Sequence, residues 1–438
     1  MSEKLLMRGV QMKKVFSLLV VLMFVGSMFA NGLSLNSVGP KALGMGGAFV
    51  GLANDGSAIY WNPAGLLGQD NAVNLSGTDI IPIGNYNYTA AGVDADQIKN
   101  NYMSPDLFAN YSMDKMAFGL GIYVPAGLGA EYEGKDLQNF TAIPGLYPGD
   151  PDIEWMSKIA VISLSPAFAY QVSDNWSFGV AANVYYGMFD IKRFGANLPN
   201  AAGSYTSYQY EESSTGLGYG ATIGTMYKFS DKVKVGFTYR SSVTVDMSGT
   251  AENGAMPLIA GSMALTAPDE TDFDREVTWP TWIAGGIALT PTEKMTLTFD
   301  LQWSDWKALD ELETEFEDTT WATILGSTGD DKFILNWESQ TQVRLGMEYM
   351  VMDNMAVRTG WYYDPQPAPD ETLNILFPSG TYSVLTGGLG YQMGNLNFDF
   401  GTEYLFGADR HVSAALHNMP GTHSIDMFAF ALGVGYKF

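Results

Sequence analysis

Side chains able to do covalent or metal chemistry are few in this chain, and they are poorly placed for it. His411, His417 and His423 are the only histidines. Their even spacing invites a metal reading, but it matches no closed set of zinc ligands, and all three fall in one long predicted loop. There is no cysteine. A Ser–His or Cys–His catalyst would therefore have to be assembled inside that loop. The missing thiols also exclude a disulfide scaffold and a lipid-modified N-terminal cysteine. We expect no enzyme, no metal and no cofactor. The acidic runs Asp269 to Glu276 and Asp310 to Asp318 read as solvated loop faces, with divalent bridging to lipopolysaccharide as the alternative. Gly44-Met45-Gly46-Gly47 could suggest a dinucleotide loop, yet no strand precedes it and the spacing is wrong. What remains is binding, and the elements that would hold a binding site have to be read from pattern.

The first such pattern is an export signal. Lys13-Lys14 is a basic start, Val15 to Val25 an apolar run, and Gly26-Ser27-Met28-Phe29-Ala30 a small-residue exit, the order of a cleavable secretory peptide. The run is far shorter than the ~20 apolar residues that a spanning helix needs. Met12 is the expected start, and residues 1–30 are assigned to leader and signal. Removing them takes away four positive charges against one negative, Glu3, and turns a net charge of −24 into −27. So acidic a surface repels phosphate backbones, which excludes nucleic acid as a partner.

No later stretch is long and apolar enough for a spanning helix, although aromatics make up 13% of the chain and it holds 49 glycines and 19 prolines. In lipid only helices and closed barrels satisfy every backbone group, so this profile points to a barrel. Period-two alternation supports it. Leu396, Phe398, Phe400, Tyr404 and Phe406 share one face, and Asn397, Asp399, Gly401 and Glu403 the other; one face would meet lipid and the other a lumen. Short turns recur at Ser112–Lys115, Ser173–Asn175, Ser230–Lys232, Pro291–Lys294, Met352–Asn354 and Met393–Asn395, built from residues that tolerate tight-hairpin angles. Six turns define twelve strands. An opening strand near Ala72 to Pro82 and a closing one from Phe428 to Phe438 give fourteen, an even number that puts both ends on the periplasmic side and seven longer loops outside. The expected fold is all-β, a fourteen-stranded antiparallel transmembrane barrel over 71–438. Its aromatic-ended closing strand resembles the signal read by the barrel assembly machinery. One chain would close its own barrel, so a monomer in outer-membrane lipid is expected.

Residues 31–70 do not alternate and cannot be wall. Gly39 to Leu66, running through Gly46-Gly47, the Asp55-Gly56-Ser57 step and Asn62-Pro63-Ala64, resembles the N-terminal hatch of FadL/TodX-type outer-membrane transporters. Phe118 to Tyr132, Trp176 to Gly179 with Ile191 to Phe194, and Asp353 to Asp364 are similar to further landmarks of that family in the same order. The resemblance implies a plug inside the lumen and transport of long-chain fatty acids or other hydrophobic compounds, by capture in an outer groove, pocket binding, hatch movement and exit through a gap in the wall at the third strand. Such a route must stay apolar, because each methylene moved from a lipid-like phase to water costs about 0.8 kcal/mol.

Several residues become candidates on this reading. Phe49, Ile59, Tyr60 and Trp61 would supply the pocket's apolar surface. Phe140, Ile143, Leu146 and Tyr147, in a long loop, would form the capture groove; a loop packing its own apolar residues is the alternative. The third strand is placed at about Met156 to Val172, where Pro166 lacks the N–H that a ladder needs, so the wall is expected to open there, with a harmless bulge near the strand end as the alternative. Arg193 falls on the landmark that carries one of the family's carboxylate-binding basic residues. The second basic position falls near Trp337-Glu338-Ser339, and Glu338 would repel a carboxylate, which leaves alkanes and aromatics beside fatty acids as cargo. A barrel serving only as a scaffold for secretion, adhesion or phage attachment is the rival reading; a diffusion porin would leave the plug unexplained.

Overall fold

The computed structural model describes residues 32–438; the expected leader and signal lie outside the described residues. Fourteen strands form one closed antiparallel barrel. They are β1 Ala72–Tyr88, β2 Tyr102–Met113, β3 Met116–Tyr132, β4 Trp155–Ser173, β5 Trp176–Pro199, β6 Tyr205–Ser230 and β7, in two pieces, Val233–Arg240 and Val243–Glu252. Then follow β8, also in two pieces, Glu270–Trp279 and Trp282–Thr292, β9 Met295–Ser304, β10 Gln340–Met352, β11 Met355–Asp364, β12 Tyr382–Met393, β13 Leu396–Gly407 and β14 Gly421–Lys437. Closure runs from Ala72 opposite Lys437 to Asn87 opposite Thr422, so the first and last strands leave no free edge to lipid. All six short turns join strands as expected, and the seven longer connections gather at the opposite rim.

The faces are inverted relative to a water-soluble sandwich. On β4 the outward Ile162, Leu164, Phe168, Tyr170 and Val172 are exposed, and the inward Ser163, Ser165, Ala167 and Ala169 are buried. An apolar outer band over a lumen of small and polar residues suits a bilayer solvent. Near the short turns the exposed Trp176, Tyr227, Phe229, Tyr391 and Tyr436 form the aromatic girdle that sits at headgroup level.

The strand containing Pro166 is the fourth and not the third, because the first short turn already closes β2 onto β3. The ladder does not open at Pro166. It stays in register with β3, Leu120 opposite Pro166, and with β5 the pairs on either side, Leu164–Val184 and Ala167–Ala181, keep one register. Its ring faces outward, so the missing N–H omits a local pairing without displacing the strand. The break is in β3, where the register against β4 shifts between Tyr123 and Ala126, around Val124 and Pro125.

Candidate functional site: the plug, its seams and the cavity beside β3

Residues 32–71 lie inside the barrel. A short helix α1, Pro40–Gly44, starts on a proline whose absent N–H would have been unsatisfied anyway. Gly46 and Gly47 then take φ of 65° and 62°, a left-handed turn that a side chain would strain. Helix α2, Ala58–Trp61, follows an Asp55 that accepts hydrogen bonds from the amide and hydroxyl of Ser57. Asn62 ends it and starts the turn Pro63–Leu66. Its Nδ2 donates to Val50 O and to Thr225 O on β6, both at 3.1 Å, and its Oδ1 accepts from Ala64 N. The Asn-Pro-Ala triplet is therefore a clamp between two parts of the hatch and the wall.

The wall meets the hatch with donors aimed at its carbonyls. Arg344 Nη1 reaches Asn36 O at 2.9 Å and Gly46 O at 3.1 Å, Gln302 reaches Gly47 O, and Thr386 reaches Gly44 O. Arg240 reaches Tyr60 O at 2.6 Å while its guanidinium lies over the Tyr60 ring. Asp300 accepts from Val50 N at 2.8 Å. Lys41 bridges to Glu348, which pairs with Arg358 at 2.7 Å, and Arg358 pairs with Asp399 at 2.5 Å. Between these clamps the wall thins to glycine. A methyl group on Gly236 would strike Val50 O, and one on Gly360 would strike Gly46, so hatch backbone lies directly on wall backbone.

Two cavities flank this plug. The side of the short turns holds a vestibule of about 660 Å3 whose polar lining includes Lys41, Asp55, Lys234, Glu348, Arg358 and Asp399. The other cavity, of about 300 Å3, has a largely apolar wall that includes Leu35, Leu43, Ile80, Leu128, Ile159 and Leu405. It reaches the seam between β2 and β3, lined on one side by Tyr102, Met103 and Ser104 and on the other by Val124, Gly127 and Gly129.

That seam is open. Ladder pairing of β2 with β3 stops at Leu107–Ile122; beyond it the Tyr102 ring lies against Gly129, Gln97 Nε2 donates to Gly129 O, Ile98 N to Glu131 O and Asn100 Nδ2 to the Glu131 carboxylate. Two backbone groups of β3 in between, Pro125 O and Gly127 N, are taken by the hatch. Leu35 N donates to Pro125 O at 3.0 Å, Gly127 N donates to Leu33 O at 2.9 Å, and Ser34 stands opposite Ala126. The start of the hatch thus closes from inside a wall that β2 leaves unpaired.

The remaining candidates are dispersed. Phe49, Ile59, Tyr60 and Trp61 are buried, with ring centroids 6.4 Å apart for Phe49–Trp61 and 4.9 Å for Tyr60–Trp61. They fill the plug and do not line the 300 Å3 cavity. Tyr60 and Trp61 border a void of only about 30 Å3, water-sized rather than cargo-sized. Arg193 lines neither cavity: it donates to Asp330 O, pairs with that carboxylate at 3.7 Å and lies over Tyr210. Glu338 is exposed beside the buried Trp337. In the proposed groove, Phe140 is half-buried and stacks on Tyr86, Ile143 and Tyr147 close a tight turn, and Leu146 is 66% exposed. His423 is buried against Tyr86 and His411 meets Thr422. Sequence reasoning missed Arg240, Asp300, Gln302, Arg344, Tyr102 and Pro125. The alternation gave the inward position of the first four, but not their role, because the same inward faces carry Thr238, Thr298, Ser304 and Gln342.

A plugged fourteen-stranded barrel with an apolar band and aromatic girdle is an integral protein of the bacterial outer membrane. A family model described as outer membrane protein transport protein (OMPP1/FadL/TodX) matches residues 21–438, and the chain belongs to that family. It is 24% identical to a long-chain fatty acid transport protein of Escherichia coli O6:H1, with 86% of this chain and 87% of the relative covered. Among solved structures it is similar to a Pseudomonas aeruginosa FadL homologue, with TM-score 0.76, 17% identity and coverage of 93% of this chain and 100% of the other. It is also similar to the Pseudomonas putida toluene transporter TodX, with TM-score 0.71, 17% identity and coverage of 92% and 99%.

Proposed function

We propose that this protein carries long-chain fatty acids or other hydrophobic compounds into the outer membrane's inner side by binding them in the 300 Å3 cavity and releasing them sideways between β2 and β3. The observation that carries this reading is the seam itself. Hatch residues 33–35 hold the edge of β3 that β2 leaves free, and the apolar cavity ends at that edge. Moving the hatch start away would unpair Pro125 O and Gly127 N and join cavity to bilayer in one step. Cargo would then avoid water, at a saving of about 0.8 kcal/mol per methylene. The Asn62 clamp and the Arg344 and Arg240 donors hold the rest of the hatch, so movement is assigned to its first residues. Closure of the barrel within one chain supports a monomer, and the aromatic closing strand supports recognition by the assembly machinery.

Uptake of radiolabelled oleate, toluene and an alkane by cells with and without the protein tests the reading. Saturable uptake of at least one of them, with no gain in glucose entry, is expected. Correct assembly with no hydrophobe uptake would return the protein to a scaffold role in secretion, adhesion or phage attachment.

A further inference from the structure

The seam beside β3 is covered twice, and the second cover is a single side chain. Tyr102 ends the β1–β2 ladder, opposite Ile80, and its strand has no ladder partner on the other side before Leu107 meets Ile122. From that position its half-buried ring crosses the gap and lies on Gly129, where a Cβ would overlap the ring. Gly129 is paired with Lys158, and directly opposite residues share a face. Lys158 lies on the outward face of β4 with the exposed Ile162 and Leu164. The ring therefore sits on the lipid side of β3 while also lining the 300 Å3 cavity. Leu33 and Leu35 of the hatch hold the same strand from inside. Cavity and bilayer are thus separated by the hatch start on one side and by one ring on the other.

The backbone leading to Tyr102 is tied down. Gln97 N donates to Gly84 O on β1, and Gln97 Nε2 and Ile98 N donate to Gly129 O and Glu131 O at 2.9 and 2.7 Å. Turning the Tyr102 ring about its two side-chain bonds breaks none of these hydrogen bonds. We propose that the Tyr102 ring is the stopper on the outer side of the seam and sets the width of the cargo that leaves through it. Gly129 is its seat, since any larger residue there would push the ring away from β3. The inference rests on the transport reading above and adds to it the residue that selects by width. Straight chains and narrow rings pass once the stopper turns aside, and a hydrophobe broadened by substituents is held back.

The test compares uptake of radiolabelled mesitylene with that of a slimmer probe, toluene or oleate, whichever the wild type takes up better, each measured above cells lacking the protein. Tyr102→Ala should raise the broad-to-slim uptake ratio about tenfold, the scale on which a hydrophobic site discriminates by a methylene. Tyr102→Phe keeps the ring and should keep the wild-type ratio. Gly129→Ala should shift the ratio when Tyr102 is present and leave it unchanged in the Tyr102→Ala background, the coupling expected of a ring and its seat. Wild-type ratios in both Tyr102→Ala and Gly129→Ala, from barrels that keep their heat-modifiable migration, overturn the stopper and leave transport standing. A Tyr102→Phe ratio equal to that of Tyr102→Ala also overturns it, because the hydroxyl and not the ring would then select. If the wild type takes up neither slim probe, the transport reading fails and the stopper with it. Should Tyr102→Ala not assemble, the ratio in Gly129→Ala decides the matter with Tyr102 in place.

Discussion

At the scale of single residues, the chemistry of this protein is that of holding a plug in place. Arg344 is 1% exposed and serves two hatch carbonyls while its guanidinium lies over Tyr362. Replacing it with methionine keeps much of the volume and removes the donors. Leaving Gly46 O and Asn36 O without it should weaken hatch docking by about 1–3 kcal/mol. We expect Arg344→Met to expose the segment before residue 72 to protease while the barrel keeps its heat-modifiable migration on gels; unchanged protease resistance would remove Arg344 from the clamp. Arg193 makes a contrasting case. Its contacts are Asp330, the Tyr210 ring on β6 and the Phe333 ring in the connection after β9, none of which lines the 300 Å3 cavity, so Arg193→Ala should leave cargo affinity unchanged in a direct titration. Its assignment to a carboxylate site came from resemblance, which carries a residue type to a position without carrying its neighbours.

At the scale of elements, two prolines in adjacent strands show what could and could not be read from the sequence. Pro166 and Pro125 both remove a ladder donor. Which of them opens the wall depends on whether the neighbouring strand is still there, and β2 begins only at Tyr102 after a long connection. Strand ends of that kind are set by loop packing and not by alternation, so the seam was not legible while the strands and turns were. The strand count, the alternating faces and the hatch were legible because period two, turn residues and a glycine-rich exception are local properties. The packing of Phe49, Ile59, Tyr60 and Trp61 into the plug's own core was not, since an aromatic that fills a core and one that lines a pocket have the same sequence. Wall glycines supply a prediction at this scale. Gly286 lies against Gly51 with no room for a Cβ, and a valine there must push hatch backbone inward. Gly286→Val should raise ion conductance in planar bilayers above that of the wild type; equal conductance would mean that hatch seating does not seal the lumen.

At the scale of the whole molecule, the lumen holds the hatch between two cavities. The hatch sits above the polar vestibule, and on the loop side an apolar cluster of Trp306, Leu309, Trp337, Leu373, Ile375 and Phe377 packs against inward residues of the wall. The exit proposed at the β3 seam would keep cargo out of water. The chain's lack of cysteine permits a direct test. Ser34 and Ala126 face each other as a bridged pair between hatch and wall, flanked by the Leu35–Pro125 and Gly127–Leu33 hydrogen bonds. That is a non-hydrogen-bonded antiparallel pair, whose Cα separation of about 4.5 Å falls within disulfide range. The measurement is hydrophobe uptake by cells carrying the double variant Ser34→Cys, Ala126→Cys, before and after reduction. The account predicts that the oxidised protein still binds cargo but takes up no more than cells lacking it, and that a reductant restores transport. Undiminished uptake by fully cross-linked protein would contradict it, because cargo would then cross without the hatch ever leaving the edge of β3.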